Sequence, residues 1–298
     1  MKMKVGTVSI IGRPNVGKST LLNNLIGNKV SIISPKPATT RIKILGVMNE
    51  EEGQVVFIDT PGFEKSKNEL GKYMLKTIYS TFEEADLLLF LIEAKGWKQE
   101  DEKILDCLKE YSDRIILGIN KIDLLKNKEL LLPLIDESAK KFNFLEIVPF
   151  SALKNKNIDR LKKAIFSHLP EGEPFFPPDK ITNLPLEYMI SEIIREKAIL
   201  KTYKEVPQSI AVEVEEMREG EKDKSVQVIR ANIIVDRENL KSILIGKDGR
   251  KIKEIGKLAR EEIEVLLGKK VYLELWVKVI EDWREKPDLF RRFGYGNI

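Results

Sequence analysis

Eight consecutive residues, Gly12-Arg13-Pro14-Asn15-Val16-Gly17-Lys18-Ser19, carry the G-x-x-x-x-G-K-[ST] spacing of a phosphate-binding loop. The chemistry can be read residue by residue. Gly12 and Gly17 let main-chain N–H groups turn inward around phosphate oxygens, with Arg13, Pro14, Asn15 and Val16 forming the loop between them. Lys18 reaches the β- and γ-phosphates, and the Ser19 hydroxyl, followed by Thr20, ligates Mg²⁺. A chance glycine turn ahead of a surface helix is the plain alternative. The apolar run 5–11 before the loop, and Leu21, Leu22, Leu25 and Ile26 at helical spacing after it, favour the strand–loop–helix context that phosphate binding needs.

Three more short motifs follow strand-like runs. Asp59-Thr60-Pro61-Gly62 ends the run 55–58; Asp59 can hold the Mg²⁺ water shell, and Gly62 can offer its N–H to a γ-phosphate. Asn120-Lys121-Ile122-Asp123 follows the run 115–119, and Ser151-Ala152-Leu153 follows the run 145–150. A carboxylate at Asp123 accepts two hydrogen bonds from the N1–H and 2-amino group of guanine, whereas adenine would leave it desolvated and unpaired. Rejection on that ground reaches about 10⁴-fold. The Lys121 stem would cover the base, and the Ala152 N–H would meet the guanine oxygen. Each motif alone is an ordinary turn. Their order along the chain, each at a strand end, points to GTP and GDP.

The elements that must position these residues alternate. Strands are expected at 44–49, 55–58, 87–92, 115–119 and 145–150, with a hairpin turn at 50–53 and helices at 100–111, 129–142 and 158–169. Such alternation predicts an α/β domain with a mostly parallel sheet, helices on both faces, and ligands at the carboxyl ends of strands. Residues 29–42 form a polar loop broken by Pro35 and Pro37 and holding Thr39, Thr40 and Arg41. A proline-rich stretch, 171–185, suits an extended, semi-rigid connector, with Phe175 and Phe176 expected to pack on a domain. The domains are therefore 1–170, the linker 171–185, and 186–298.

The second half changes pattern to helix (186–203), strand (210–214), strand (226–235), helix (239–245), turn, helix (250–267) and strand (271–280), a separate α+β domain. The turn is Gly246-Lys247-Asp248-Gly249, the G-x-x-G unit with which KH domains clamp a few nucleotides of single-stranded backbone. Two glycines admit phosphates, and Lys247 with Arg250, Lys251, Lys253 and Lys257 supplies positive charge. Ile245 and Ile243 before the turn, and Ile252 after it, are expected to floor the site where bases rest. A glycine cap with a solvated charged face is the alternative for the turn alone. The tail 283–293 either stacks on bases through its aromatics or packs on its own domain.

Bulk properties exclude other chemistry. The 298 residues suit about two domains. A lone cysteine, Cys107, excludes an intrachain disulfide and a cysteine metal cluster, and a lone histidine, His168, excludes a histidine–zinc site and a Ser-His triad. The longest apolar run, 87–92, is far below a membrane span. Residues 1–4 run straight into the first strand, so no leader peptide is expected ahead of it. With a net charge of only +4, any nucleic-acid site must be a local patch.

Together the five regions, 12–19, 39–41, 59–62, 120–123 and 151–153, resemble those of translation-factor-type GTPases. The resemblance implies that Thr40, with Thr39 as the alternative, meets Mg²⁺ when the γ-phosphate is present, joining Ser19 and Asp59 as metal ligands and Lys18, Gly62 and Asn15 at the reacting phosphate. Ras-like enzymes carry a water-orienting glutamine after the switch glycine; Phe63 stands there in this chain. The loop Arg-Pro-Asn-Val-Gly-Lys-Ser-Thr is similar to the branch whose P-loop asparagine, here Asn15, holds K⁺. A GTPase domain followed by a type II KH domain, over essentially the full chain, resembles the Era family. That implies binding to the 3′ end of 16S rRNA and assembly of the small (30S) ribosomal subunit, while Phe63, which cannot orient a water, predicts slow GTP hydrolysis. The resemblance further implies a monomeric cytoplasmic protein with peripheral contact at the inner membrane. An assembly factor in which the nucleotide is structural, without turnover, is the alternative that Phe63 keeps open.

Overall fold

A computed structural model describes residues 3–34, 36, 39–63, 68–203 and 206–295. Pro35 and Pro37 of the polar loop lie outside the described residues. The chain divides into two compact units, one built from the described residues of 1–31, 40–65 and 73–183, the other from those of 32–39, 66–72 and 184–298.

The first unit is laid on a sheet of β1 (Met3–Ile11), β2 (Ile44–Glu50), β3 (Gly53–Asp59), β4 (Leu87–Glu93), β5 (Ile115–Asn120), β6 (Glu146–Pro149) and a two-residue β7 (Glu171–Gly172). The spatial order is β2-β3-β1-β4-β5-β6, with β7 paired to β1. Pairings from β3 to β6 are parallel, and β2 is antiparallel to β3. Every residue of β3 and β5 is buried, which requires cover on both faces of the sheet and explains why these strands read as unbroken apolar runs. The helices are α1 (Lys18–Ile26), α2 (Glu69–Glu84; this unit from Tyr73 onward), α3 (Gln99–Leu108), α4 (Leu131–Lys141) and α5 (Ile158–His168). Chain order reverses at β1: the polypeptide leaves it for β2 and β3 on one side and returns to β4 on the other. That reversal opens a crevice at the carboxyl ends of the strands.

Helix α2 has no counterpart among the sequence expectations. Gly71 and the β-branched or aromatic residues Thr77, Ile78, Tyr79, Thr81 and Phe82 lower its intrinsic propensity. Burial of Ile78 and Phe82 in the core with Leu88, Phe90 and Ile104 forms it instead.

The stretch read as a connector is fastened down. Ile181 O accepts from Val47 N–H (2.9 Å), Thr182 Oγ1 donates to Leu45 O (2.7 Å), and Asn49 Nδ2 donates to Pro178 O (3.0 Å). The buried Gln54 amide donates to Phe176 O (2.7 Å) and accepts from Phe176 N–H (3.0 Å). Residues 176–182 thus strap the outer edge of β2. Phe176 is held through its backbone, while Phe175, expected to pack, is 56% exposed.

The second unit runs α6 (Leu186–Leu200), a short α7 (Val206–Ser209), β8 (Ala211–Glu219), β9 (Val226–Val235), α8 (Glu238–Ile245), α9 (Arg250–Leu267), β10 (Lys270–Val279) and α10 (Pro287–Arg292). Its sheet is ordered β10-β9-β8, with β10 parallel and β8 antiparallel to β9. Ile190 and Ile194 of α6, Leu244 of α8, and Ile255, Ala259 and Ile263 of α9 close on Ile229, Ala231 and Ile233 of β9. The tail packs. Trp283, Phe293 and Tyr295 are buried on one another, Trp283 and Phe293 edge to face with centroids 5.5 Å apart, and Trp283 Nε1 donates to Ser209 O (2.8 Å). Among the described residues no helix is long and apolar enough to cross a membrane.

Gln54→Ala removes the strap's buried amide partner and is expected to lower the unfolding free energy by about 2 kcal/mol in denaturant titration. The same variant should open residues 171–183 to limited proteolysis; an unchanged cleavage pattern would show that the remaining bonds suffice.

Candidate nucleotide site and nucleic-acid groove

The turn between β1 and α1 adopts backbone angles that ordinary residues avoid. Gly17 sits at φ +101°, and a Cβ there would lie 2.4 Å from Asn120 Nδ2, so conformation and space both demand glycine. Asn15 takes the left-handed region at φ +63°, which asparagine tolerates better than most residues. The Lys18 ammonium is buried at the loop's centre, donating to Gly12 O (2.9 Å) and Arg13 O (3.2 Å). Burial lowers its pKa to about 8, against the pull of Asp59 and with the help of the nearby Arg13 charge.

Below the loop, Asp59 at the end of β3 gathers hydroxyls. Its Oδ2 accepts from Ser19 (2.8 Å), Ser31 (2.9 Å) and Thr40 (3.5 Å), and the Ser19 and Thr40 oxygens lie 3.1 Å apart. Thr39 instead donates to Lys36 O (2.7 Å), so Thr40 is the threonine at this cluster. Burial raises the pKa of Asp59, opposed by Lys18 and the three hydroxyls. Its other oxygen, Oδ1, is buried without a hydrogen-bond partner among the described residues. A small oxygen-seeking dication fits that donor set of one orphaned carboxylate oxygen and two converging hydroxyls. Ser31 escaped sequence reading because nothing in the polar loop's spacing marks it.

Thr60 is buried and donates to Ile10 O (2.9 Å), tying the Asp-Thr-Pro-Gly turn to β1. A Cβ on Gly62 would come within 2.8 Å of Pro14 Cγ, so only glycine lets this turn pass the P-loop. Phe63 N–H donates to Gly12 O (3.3 Å), and its ring packs edge to face on Tyr79 with centroids 5.8 Å apart.

The buried Asn120 joins three loops. Its Nδ2 donates to Val16 O (2.8 Å), and its Oδ1 accepts from Lys121 N–H (2.7 Å) and Ala152 N–H (3.0 Å). The Ala152 N–H, expected to meet a base oxygen, here donates to the Asn120 side-chain carbonyl. Lys121 Nζ donates to Asn15 O and pairs with Glu93, laying its stem along the loop. Asp123 accepts from the Ser151 hydroxyl, which orients the carboxylate, and Leu153 is exposed beside it. The structure thus brings the P-loop, Asp59, Thr40, Asn120–Asp123 and Ser151–Leu153 to one end of the sheet.

In the second unit the G-x-x-G turn bends through Gly246 (φ +71°), Asp248 (φ +54°) and Gly249 (φ +70°) before α9 begins. Beside it α9 and β10 border a groove of about 470 Å³ lined by Ile252, Lys253, Gly256, Lys257, Arg260, Val271, Tyr272, Leu273 and Leu275. Lys253 and Lys257 line this groove. Ile252 belongs to the floor, but Ile243 and Ile245 do not line the groove; β10 supplies Val271, Leu273 and Leu275 instead, because its alternate residues face α9. Tyr272 and Gly256 are lining residues that the motif alone did not mark, and Arg260 continues the cationic stripe of α9. An apolar floor, cationic rim and exposed aromatic suit single-stranded bases and phosphates.

A family model described as 50S ribosome-binding GTPase matches residues 7–121, and one described as KH domain matches residues 205–284. The chain is 54% identical over 299 residues to GTPase Era of Aquifex aeolicus, covering 98% of this chain and 99% of that protein. GTPase Era of Staphylococcus haemolyticus is 47% identical over 293 residues, covering 98% and 97%. A crystal structure of an Aquifex aeolicus Era variant bound to GDP·AlF4⁻ matches with a TM-score of 0.96 at 53% identity, covering 99% of this chain and 100% of that one. Era in complex with MgGDPNP and nucleotides 1506–1542 of 16S ribosomal RNA matches with a TM-score of 0.96 at 54% identity and the same coverage.

Lys18 gives this site a pH signature. A bound phosphate favours the ammonium and lifts its pKa, so binding takes up a proton wherever Lys18 is neutral beforehand. GDP affinity should be level below about pH 8 and about tenfold weaker at pH 9 than at pH 7 by fluorescence titration. Guanosine titrated alongside isolates the base's own ionisation, and a flat GDP profile would show that Lys18 is not depressed into this range or does not meet the phosphates.

Proposed function

The chain belongs to the Era family of GTPases, and from that premise we propose that its KH unit binds the 3′-terminal region of 16S rRNA, with GTP hydrolysis switching that binding during 30S subunit assembly. The protein binds and hydrolyses GTP. The observation that carries the RNA reading is the groove between α9 and β10, where Lys253, Lys257 and Arg260 rim an apolar floor beside the G-x-x-G turn. The related Era complex with nucleotides 1506–1542 of 16S ribosomal RNA supports it. A cytoplasmic location with peripheral contact at the inner membrane is part of the proposal and rests on family membership.

Each residue's role at the nucleotide follows from its position. The loop of residues 12–19 wraps the phosphates with its amides, and the desolvated Lys18 ammonium meets the negative charge that grows on the γ-phosphoryl oxygens during transfer. Asp123, held by Ser151, selects guanine by accepting from the base's ring N–H and amino group. Ser19, Thr40 and Asp59 would hold Mg²⁺, which supplies neutralising charge to the β- and γ-phosphates. Gly62 passes close against Pro14 and can present its N–H to the γ-phosphate.

Phe63 cannot orient a water, and its ring is engaged with Tyr79. Hydrolysis is therefore slow until another group is supplied, and K⁺ near Asn15 is that group in this proposal. Phosphate release should be at least about tenfold faster in potassium than in sodium salts, and Asn15→Ala should erase the difference. Equal rates in both salts would discard the ion.

RNA binding is tested with an oligonucleotide of the 16S 3′ end against protein loaded with GDP or a non-hydrolysable GTP analogue. The two affinities should differ by at least about fivefold; equal affinities would leave the two activities uncoupled. A Cβ at Gly249 would meet only Ile252 Cγ2, at 3.9 Å, so Gly249→Asp acts through charge and its left-handed backbone rather than through bulk. It should weaken RNA binding at least about tenfold while GDP affinity holds.

A further inference from the structure

The P-loop arginine is not displayed to solvent. Arg13 lies buried between two carboxylates from other elements: its Nη2 is 2.9 Å from Glu93 Oε2 and its Nε is 3.2 Å from Asp101 Oδ1. Glu93 is the last residue of β4 and pairs in register with Asn120. Its second oxygen takes the Lys121 ammonium, which also donates to the Asn15 carbonyl. Asp101 is wholly buried in the first turn of α3, where it also accepts from the Lys98 N–H (3.0 Å) and so caps that helix.

One carboxylate therefore holds a cation from each end of the nucleotide site. We infer that Glu93 is a positioning residue that fixes the separation between the phosphate loop, through Arg13, and the base loop, through Lys121, with Asp101 securing the far side of Arg13. This rests on the proposed assignment of residues 12–19 and 120–123 to the two ends of one nucleotide. Burial opposes the charge on Glu93, yet its hydrogen bonds to Lys121 and Arg13 outweigh that and hold its pKa below the usual range, so the carboxylate stays ionised as the bridge requires. A ligand that spans both loops gains from their fixed spacing, whereas a ligand touching only one does not.

That difference supplies a readout that general loss of structure would not produce. GDP, guanosine and magnesium pyrophosphate are titrated separately against the full-length protein and its Glu93→Gln variant. The variant should bind GDP about tenfold more weakly while each fragment keeps its affinity within about twofold. Loss of all three affinities together, or unchanged GDP affinity, overturns the bridge. Asp101→Asn retains an acceptor for the α3 cap and should give the same split at smaller size even where Glu93→Gln folds poorly; unchanged GDP affinity there also overturns it. Lys18→Ala checks the assignment beneath: it should abolish pyrophosphate binding and spare guanosine, and surviving pyrophosphate binding would strike the site assignment itself, apart from the bridge.

Discussion

A single buried amide holds the nucleotide end of this molecule together. Asn120 uses its donor on the P-loop carbonyl of Val16 and its acceptor on the main-chain N–H groups of Lys121 and Ala152. Three loops that leave different strands of one sheet are thereby locked to a common point. The conformation of Gly17 follows, since the Asn120 amide occupies the space where any side chain would stand. A buried amide engaged in three hydrogen bonds is costly to disturb, because moving one loop strands a donor or acceptor away from water.

What could be read from residues alone follows from this. The motifs are legible because they are places where backbone angle or close approach admits few residue types: glycine at 12, 17 and 62, a hydroxyl at 19, an acid at 59 and 123. The strands are legible because full burial leaves apolar runs. Contacts between distant positions that any polar residue could make are not. Ser31 on Asp59, and the carboxylates on Arg13, have no spacing relation to the motifs they support, since sheet order and not sequence distance brings them together. Helix α2 was hidden for a related reason: tertiary burial, and not local propensity, forms it.

In the second unit the G-x-x-G turn, its cationic helix and Ile252 are legible in the residues, whereas the β10 side of the groove is not. Ile252 lines the groove together with Val271, Leu273 and Leu275 of β10, whose inward face is fixed only once the strand lies beside β9. For the tail aromatics the residues leave stacking on bases and packing on their own domain as equal alternatives, and burial of Trp283, Phe293 and Tyr295 on one another decides for packing.

The strap along β2 bears on the chain's behaviour at high concentration. An open sheet ends in rows of unused amides and carbonyls that can template a neighbour's strand. Here one margin is already taken by residues 176–182 of the same chain, and the other is β6, four residues long and ending in Pro149, which has no N–H to offer. The large sheet thus has one margin occupied by its own chain and the other cut short and ended by a proline, which leaves little of it to template a neighbour's strand.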